Sequence, residues 1–287
     1  MNVLLLQEQL KQALIEDVGF GDRTTEAVVP AEQWVSGMVV AKEEGIMAGL
    51  SVFEQVMKLV DPRVEIEPVV KEGQCVKPGL PLLRVHGPAR AILTGERVAL
   101  NYVQRLSGIA TQTRRAVDIV KPYGVKIADT RKTTPGLRML EKYAVAVGGG
   151  INHRLRLDDA VLIKDNHIQA AGGIREAVRR VREKMGHTVF IEVETETLEQ
   201  VQEAVALGVH GILLDNMTVA QLKEAVALIP PSIVSEASGN MRLEHLEEVA
   251  QTGVQVISIG WLTHSAPALD ISLNLDGSVK KMKGETP

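Results

Sequence analysis

The residues of this chain that can do chemistry fall at the ends of short apolar runs. Asp129-Thr130-Arg131-Lys132 follows one run and Lys164-Asp165-Asn166-His167 a second. Glu192 and Glu194 lie in a third, Asp215-Asn216 ends a fourth, Ser235-Glu236 a fifth and Gly260 a sixth. A single polar residue after a strand means little, because every strand must end in something water-compatible. Charged groups at five successive ends point to a functional surface. Arg131, Lys132, Arg154 and Lys164 suit carboxylates or phosphates, Arg through a bidentate fork and Lys as a point charge. Glu194 and Asp215 offer hard oxygens to Mg²⁺ or acceptors to sugar hydroxyls. Glu192 and Glu194 share one face by strand periodicity; Glu194, nearer the C-terminal end, is taken to face the site. Ser238-Gly239-Asn240 and Ser258-Ile259-Gly260 put small residues just before helices, where exposed backbone N–H groups suit a terminal phosphate.

The elements that must position these residues follow from hydrophobic periodicity. Met1 to Gly19 reads as an amphipathic helix; it has no basic leader and an apolar run of only four residues, Val3 to Leu6. Val35–Lys42 and Val64–Val70 read as strands, and Lys71–Val85 as a hairpin punctuated by Gly73 and Pro78-Gly79. Ala89–Val120 is helical by its three-and-four spacing, with a break expected near Ser107-Gly108. Strand-length runs then alternate with helical segments: 125–128, 160–163, 189–193, 211–214, 233–234 and 256–259 against 173–184, 198–206, 219–228 and 243–250. Repeated strand–helix units imply a parallel sheet. Without a Gly-x-Gly-x-x-Gly turn after the first strand, a barrel is favoured over a dinucleotide-binding sheet. About six strands make it an incomplete barrel, whose mouth collects the polar residues above.

Bulk properties narrow the function. At 287 residues with 45% hydrophobic and 24% charged content, the chain has the composition of an ordinary globular enzyme. Aromatics are 3% and net charge is −4, which argues against nucleic acid as a partner. No stretch approaches a membrane span. One cysteine, Cys75, excludes an internal disulfide and fits a reducing cytoplasm. From Arg97 to Lys164 there are 13 basic and 5 acidic residues, so a basic segment sits in an acidic chain and suggests small anionic ligands. Arg97 and Arg105 read either as site residues or as a solvated helix face, and Arg114 and Arg115 as the latter. His153 is too isolated for a metal site, and Gly148-Gly149-Gly150 reads as a flexible hinge.

Four segments carry a resemblance: Leu106-Ser-Gly-Ile-Ala-Thr111, Asp129-Thr-Arg-Lys-Thr-Thr-Pro-Gly-Leu-Arg138, Gly148-Gly-Gly-Ile-Asn-His-Arg154 and Asp159-Ala-Val-Leu-Ile-Lys-Asp-Asn-His167. In this order they resemble the quinolinate phosphoribosyltransferases, and the similarity extends over essentially the whole chain. The resemblance implies an α/β protein with an N-terminal α/β sandwich domain (1–108, joined by a C-terminal tail, 269–287) and an open α/β barrel (109–268). It implies a homodimer with shared active sites, a hexamer of dimers being left open, acting on quinolinate and phosphoribosyl pyrophosphate with Mg²⁺. Arg97 would reach the partner's site. Thr130, Arg131, Lys132, His153, Arg154 and Lys164 would bind the dicarboxylate, with Lys132 and Lys164 also acting in catalysis. Glu194 and Asp215 would face the ribose and Mg²⁺, and Ser238, Gly239, Asn240, Ser258 and Gly260 the 5-phosphate. Trp261 departs from the smaller residue expected beside that phosphate loop. Two other readings stand at this point: a related barrel transferase acting on a different anion, and a lyase using Lys164 as a Schiff-base nucleophile.

Overall fold

The computed structural model describes residues 3–276. Two compact units divide them: the described residues of Met1–Gln112, Met139–Gly148 and Ala266–Pro287 form the first, and Thr113–Arg138 with Gly149–Ser265 the second.

In the first unit, α1 (Val3–Val18) buries Leu6, Leu10 and Leu14, a stripe repeating every four residues. The short α2 (Arg23–Val28) is capped by Asp22, whose carboxylate accepts from the Thr25 N–H at 3.0 Å. β1 (Trp34–Ala41) alternates half-exposed and buried residues, as a strand with one covered face must. After β2 (Gly45–Ile46), α3 (Leu50–Val60) sinks Val52, Phe53, Val56 and Met57 into the core. Its first amides, on Gly49 and Leu50, donate to the Glu72 carboxylate.

The expected hairpin over residues 71–85 does not form. β4 (Cys75–Val76) pairs with β2, because Met47 and residues 73–74 exchange backbone hydrogen bonds. β5 (Pro81–Pro88) instead joins β1 and β3 (Glu65–Pro68), antiparallel to both.

α4 (Ala89–Val120) is one continuous 32-residue helix, not two. Gly108 serves close approach rather than a bend: a Cβ there would lie 1.9 Å from the Pro267 carbonyl oxygen. Arg105 on this helix is no solvated-face residue. Its guanidinium donates at 2.8 and 3.2 Å to Glu141, a carboxylate with no solvent exposure, on α5 (Arg138–Gly148). That pair helps place residues 139–148 in the first unit, although the sequence reading groups them with the barrel.

The second unit is a parallel sheet of six strands in the order β6 (Lys126–Ala128), β11 (Val256–Ser258), β10 (Val234–Ser238), β9 (Gly211–Asp215), β8 (Ile191–Thr195), β7 (Val161–Ile163). Helices follow the strands: α6 (Asp165–Ala171) and α7 (Ile174–Lys184) after β7, α8 (Leu198–Ala206) after β8, α9 (Val219–Leu228) after β9, α10 (Leu246–Ala250) after β10 and α11 (Trp261–His264) after β11. α8 and α9 start with reciprocal Thr–Gln capping boxes, Thr197 with Gln200 and Thr218 with Gln221. A core of Ile, Val, Leu and Ala side chains from strands and helices fills the unit. β6 and β7 are the two outer strands, so the barrel stays open, and Ile151 makes an isolated parallel bridge to Ala128 at the β6 edge.

The chain then returns to the first unit. Leu269 N–H donates to the Gln104 carbonyl, the Gln104 amide donates to Ile271, and β12 (Ile271–Leu275) pairs antiparallel with β1. Residues 277–287 of the expected tail lie outside the described residues. Among the described residues no helix is long and apolar enough to cross a membrane.

Replacing Glu141 by Ala should cost about 3 kcal/mol, because it strips a partly buried guanidinium of its fully buried carboxylate partner. Urea unfolding with the midpoint lowered and the m-value unchanged would match this. Wild-type stability in that variant would refute the weight placed on the pair.

Candidate active site

Parallel strands end together, and here their C-terminal ends surround a cavity of about 560 Å³. Thr130, Arg131, Lys132, His153, Arg154, Lys164, Glu194, Asp215, Ser238, Gly239, Asn240 and Ser258 all line it. An adjoining hollow of about 240 Å³ shares Thr130, Lys132 and the 238–240 loop and adds Gly260. Every barrel residue expected at the site is therefore gathered at one mouth. Arg97 is exposed on α4 of the first unit.

Each side chain is set by local structure. Asp129, fully buried at the end of β6, accepts at 2.9 Å from the backbone N–H of His153, tying the first motif to the third. Gly149 turns at φ 97° into the Ile151 bridge, so the glycine run here is a fixed turn. Arg138 donates from Nε to Thr133 Oγ1 at 2.9 Å and reaches the Leu155 carbonyl, bracing the loop that carries Arg131 and Lys132. Thr263 Oγ1 donates to the Lys132 carbonyl at 2.8 Å. Lys164 is held by its own motif: its backbone N–H donates to Nδ1 of His167 one turn on.

The geometry of the 238–240 loop demands its glycine. Gly239 has φ 98°, and a Cβ on it would lie 2.2 Å from Asn216 Oδ1. Trp261 does not crowd this loop. Its indole Nε1 donates at 2.6 Å to the Met241 carbonyl, so the large residue braces residues 238–242 from behind.

Electrostatics separate the cavity into two ends. At one end Lys164 Nζ lies 2.6 Å from Glu194 Oε2, and Asp215 hydrogen-bonds the Asn216 amide at 2.7 Å. Burial, then the neighbouring Glu194 carboxylate, push the Asp215 pKa up. A Lys164 ammonium held this closely by a carboxylate is a poor Schiff-base nucleophile, and nothing here favours the lyase reading.

At the other end Arg131 and Arg154 face one another. Arg154 Nη1 donates to the Ala160 carbonyl at 2.9 Å, but the Nε of each arginine is buried with no hydrogen-bond partner. Desolvation and then the Arg131 charge lower the Arg154 pKa. Two partly buried guanidiniums whose Nε donors are idle have the chemistry to hold an anion.

His153 lies between these arginines and two acids that sequence reading left out of the site. Arg154 N–H donates to His153 Nδ1 at 2.7 Å, so Nδ1 carries the lone pair and the proton sits on Nε2. Nε2 then donates to Glu192 Oε2 at 3.1 Å, with Glu236 Oε1 at 3.7 Å. His153, Glu192 and Glu236 have ligand atoms within 4.8 Å of one another, as a cation site would. The proton on Nε2 removes the lone pair that a metal needs, which argues against one. Both acids point inward, so the choice between Glu192 and Glu194 was not an alternative: Glu194 lines the mouth and Glu192 lies beneath it. The alternation of Glu192, Glu194 and Glu236 on barrel strands was the available signal.

The chain matches known families and proteins over its length. Residues 22–107 match the quinolinate phosphoribosyl transferase N-terminal domain and residues 109–274 the C-terminal domain of the same family. A Bacillus subtilis protein named probable nicotinate-nucleotide pyrophosphorylase [carboxylating] is 48% identical over 275 residues, covering 96% of this chain and 95% of that protein. The Arabidopsis thaliana chloroplastic nicotinate-nucleotide pyrophosphorylase [carboxylating] is 44% identical, covering 94% and 83%. The crystal structure of NadC from Streptococcus pyogenes superimposes with a TM-score of 0.93 at 40% identity, covering 96% of this chain and 98% of that one. With both domains matched in order and close relatives aligned nearly end to end, this chain belongs to the quinolinate phosphoribosyltransferase family.

Proposed function

We propose that this protein transfers the phosphoribosyl group of phosphoribosyl pyrophosphate to quinolinate, releasing pyrophosphate and carbon dioxide and forming nicotinate mononucleotide. The observation that carries the reading is the Arg131–Arg154 pair, with two buried, idle Nε donors facing one cavity. A vicinal dicarboxylate supplies two anions, one for each guanidinium, and each charge-assisted bidentate contact fixes its orientation.

With the pyridine held at that end, its nitrogen faces the Glu194–Asp215 end, where the ribose would lie. Backbone amides and hydroxyls of Ser238, Gly239, Asn240, Ser258 and Gly260 would receive the 5-phosphate. The nitrogen then attacks the anomeric carbon as pyrophosphate departs through an oxocarbenium-like state. Glu194 and Asp215 favour that cationic sugar, while Lys132 and Lys164 stabilise the leaving charge. His153 contributes as a wall whose ring nitrogens are engaged by Arg154 and Glu192.

Glu194 and Asp215 also fit Mg²⁺: both are hard oxygen donors, and their mutual repulsion is what a divalent cation relieves. Mg²⁺ bound there would neutralise pyrophosphate charge as it leaves. Arg97, exposed in the first unit, is proposed to complete the dicarboxylate pocket of a second copy in a homodimer.

The test is product formation from quinolinate, phosphoribosyl pyrophosphate and Mg²⁺, each omitted in turn, with nicotinate as a control substrate. Mononucleotide formation that needs all three is expected; none from folded protein would overturn the reading. In that assay Arg131→Ala should lower kcat/KM by about 10²-fold or more, the cost of about 3 kcal/mol of charge-assisted binding. Its thermal midpoint should not fall, because the substitution relieves repulsion with Arg154. For the shared site, inactive Arg97→Ala and Asp215→Asn chains refolded together should recover about a quarter of wild-type activity, one intact site in each hybrid dimer. No recovery from a hybrid dimer seen by mass would exclude Arg97 from the partner's site.

A further inference from the structure

The barrel-floor acid Glu236 has no task in the sugar transfer, yet it is built into the cavity with care. It lines the mouth cavity, and with His153 and Arg154 it also lines a second cavity of about 340 Å³ on the other side of that floor. Its side chain is 6% exposed. Of the mouth cavity's three carboxyl groups, Glu194 is committed to Lys164 and Asp215 to Asn216. Glu236 Oε1 alone among them is buried without a hydrogen-bond partner. His153 Nε2, 3.7 Å from Glu236 Oε1, is directed to Glu192.

The surroundings favour the neutral form of this group. Glu192 on β8 and Asp129 at the end of β6 oppose a further negative charge; His153 and the Ser258 hydroxyl on β11 offset them only in part. Burial first, then Glu192, push its pKa to about 7. A neutral carboxyl group carries an O–H, and among the described residues Oε1 has no hydrogen-bond partner. Its natural partner is the ligand held at the arginine end of the cavity.

We propose that Glu236 is the acid that protonates the pyridine carbon from which the substrate's carboxylate departs. The assignment rests on the quinolinate reading above. After transfer, the C–C bond to the carboxylate next to the ring nitrogen breaks. Its electron pair stays on the ring carbon, stabilised by the adjacent cationic nitrogen, and carbon dioxide leaves. The Glu236 proton passes to that carbon, and the resulting carboxylate takes a proton from solvent before the next turnover.

The experiment is single turnover with enzyme in excess over quinolinate, following pyrophosphate release and both nucleotides by mass. In Glu236→Gln, pyrophosphate release should stay within about threefold of wild type. Mononucleotide formation should fall about 10²-fold, within the usual contribution of a general acid, and the dicarboxylate nucleotide should accumulate. Glu236→Asp, which keeps an acid, should restore much of the second step. In wild type that step should slow as pH rises through about 7, where Glu236 loses its proton, and the limb should vanish in Glu236→Gln.

Wild-type timing of both products in Glu236→Gln would overturn the proposal. So would a parallel loss of pyrophosphate release and mononucleotide in folded enzyme, the mark of a structural role. Should Glu236→Gln fail to fold, the wild-type pH limb and the Asp variant decide alone. Absence of product from wild type is a different result, and sinks the quinolinate reading itself.

Discussion

The repulsion between Arg131 and Arg154 is the constraint around which the second unit is arranged. Two guanidiniums brought together and partly desolvated are unfavourable unless something negative lies between them. The protein supplies Glu194 to Lys164 and Glu192 to His153, but leaves the arginine Nε donors idle. Binding energy is stored in that arrangement: a dianion entering the pocket gains the contacts and also removes the repulsion. The same logic, with opposite sign, holds at Asp215 and Glu194, where two acids wait for a cation or a cationic sugar. The two ends together form a template for a reaction that joins a polyanionic ring to a carbon becoming positive.

Holding like charges together demands a rigid frame, and residues bracing the mouth provide it. Asp129 pins His153, Arg138 pins the loop of Arg131, His167 pins Lys164, and Trp261 pins the 238–242 loop. Such contacts place charged groups to within fractions of an ångström, which orientation-dependent catalysis requires. The open edge of the barrel belongs to this frame. Residues 149–160 lie in the chain between the outer strands β6 and β7; there His153 and Arg154 take positions that a paired strand would deny them.

Much of this was legible in the chain itself. Alternating apolar runs and helical segments specify the parallel sheet, and the polar residues at its strand ends specify the mouth, because both signals are local. Contacts made across long sequence separations were not legible. Gly108 reads as a helix break until the Pro267 carbonyl is seen against it. Cys75-Val76 reads as half of a hairpin until Gly45-Ile46 is found beside it. Arg105 reads as solvated until its buried partner Glu141 appears. Glu236 follows a strand run as plainly as Asp215 does; only its depth and its neighbours His153 and Glu192 separate the two.

Calorimetric titration of the purified protein with quinolinate, and with nicotinate and pyridine-2-carboxylate as single-carboxylate controls, tests the central claim most directly. The account predicts that quinolinate binds at least about tenfold more tightly than either control, with an affinity that Arg131→Ala and Arg154→Ala each reduce, since two guanidiniums each meet a carboxylate. Equal binding of all three pyridines, or quinolinate affinity indifferent to both substitutions, would contradict it.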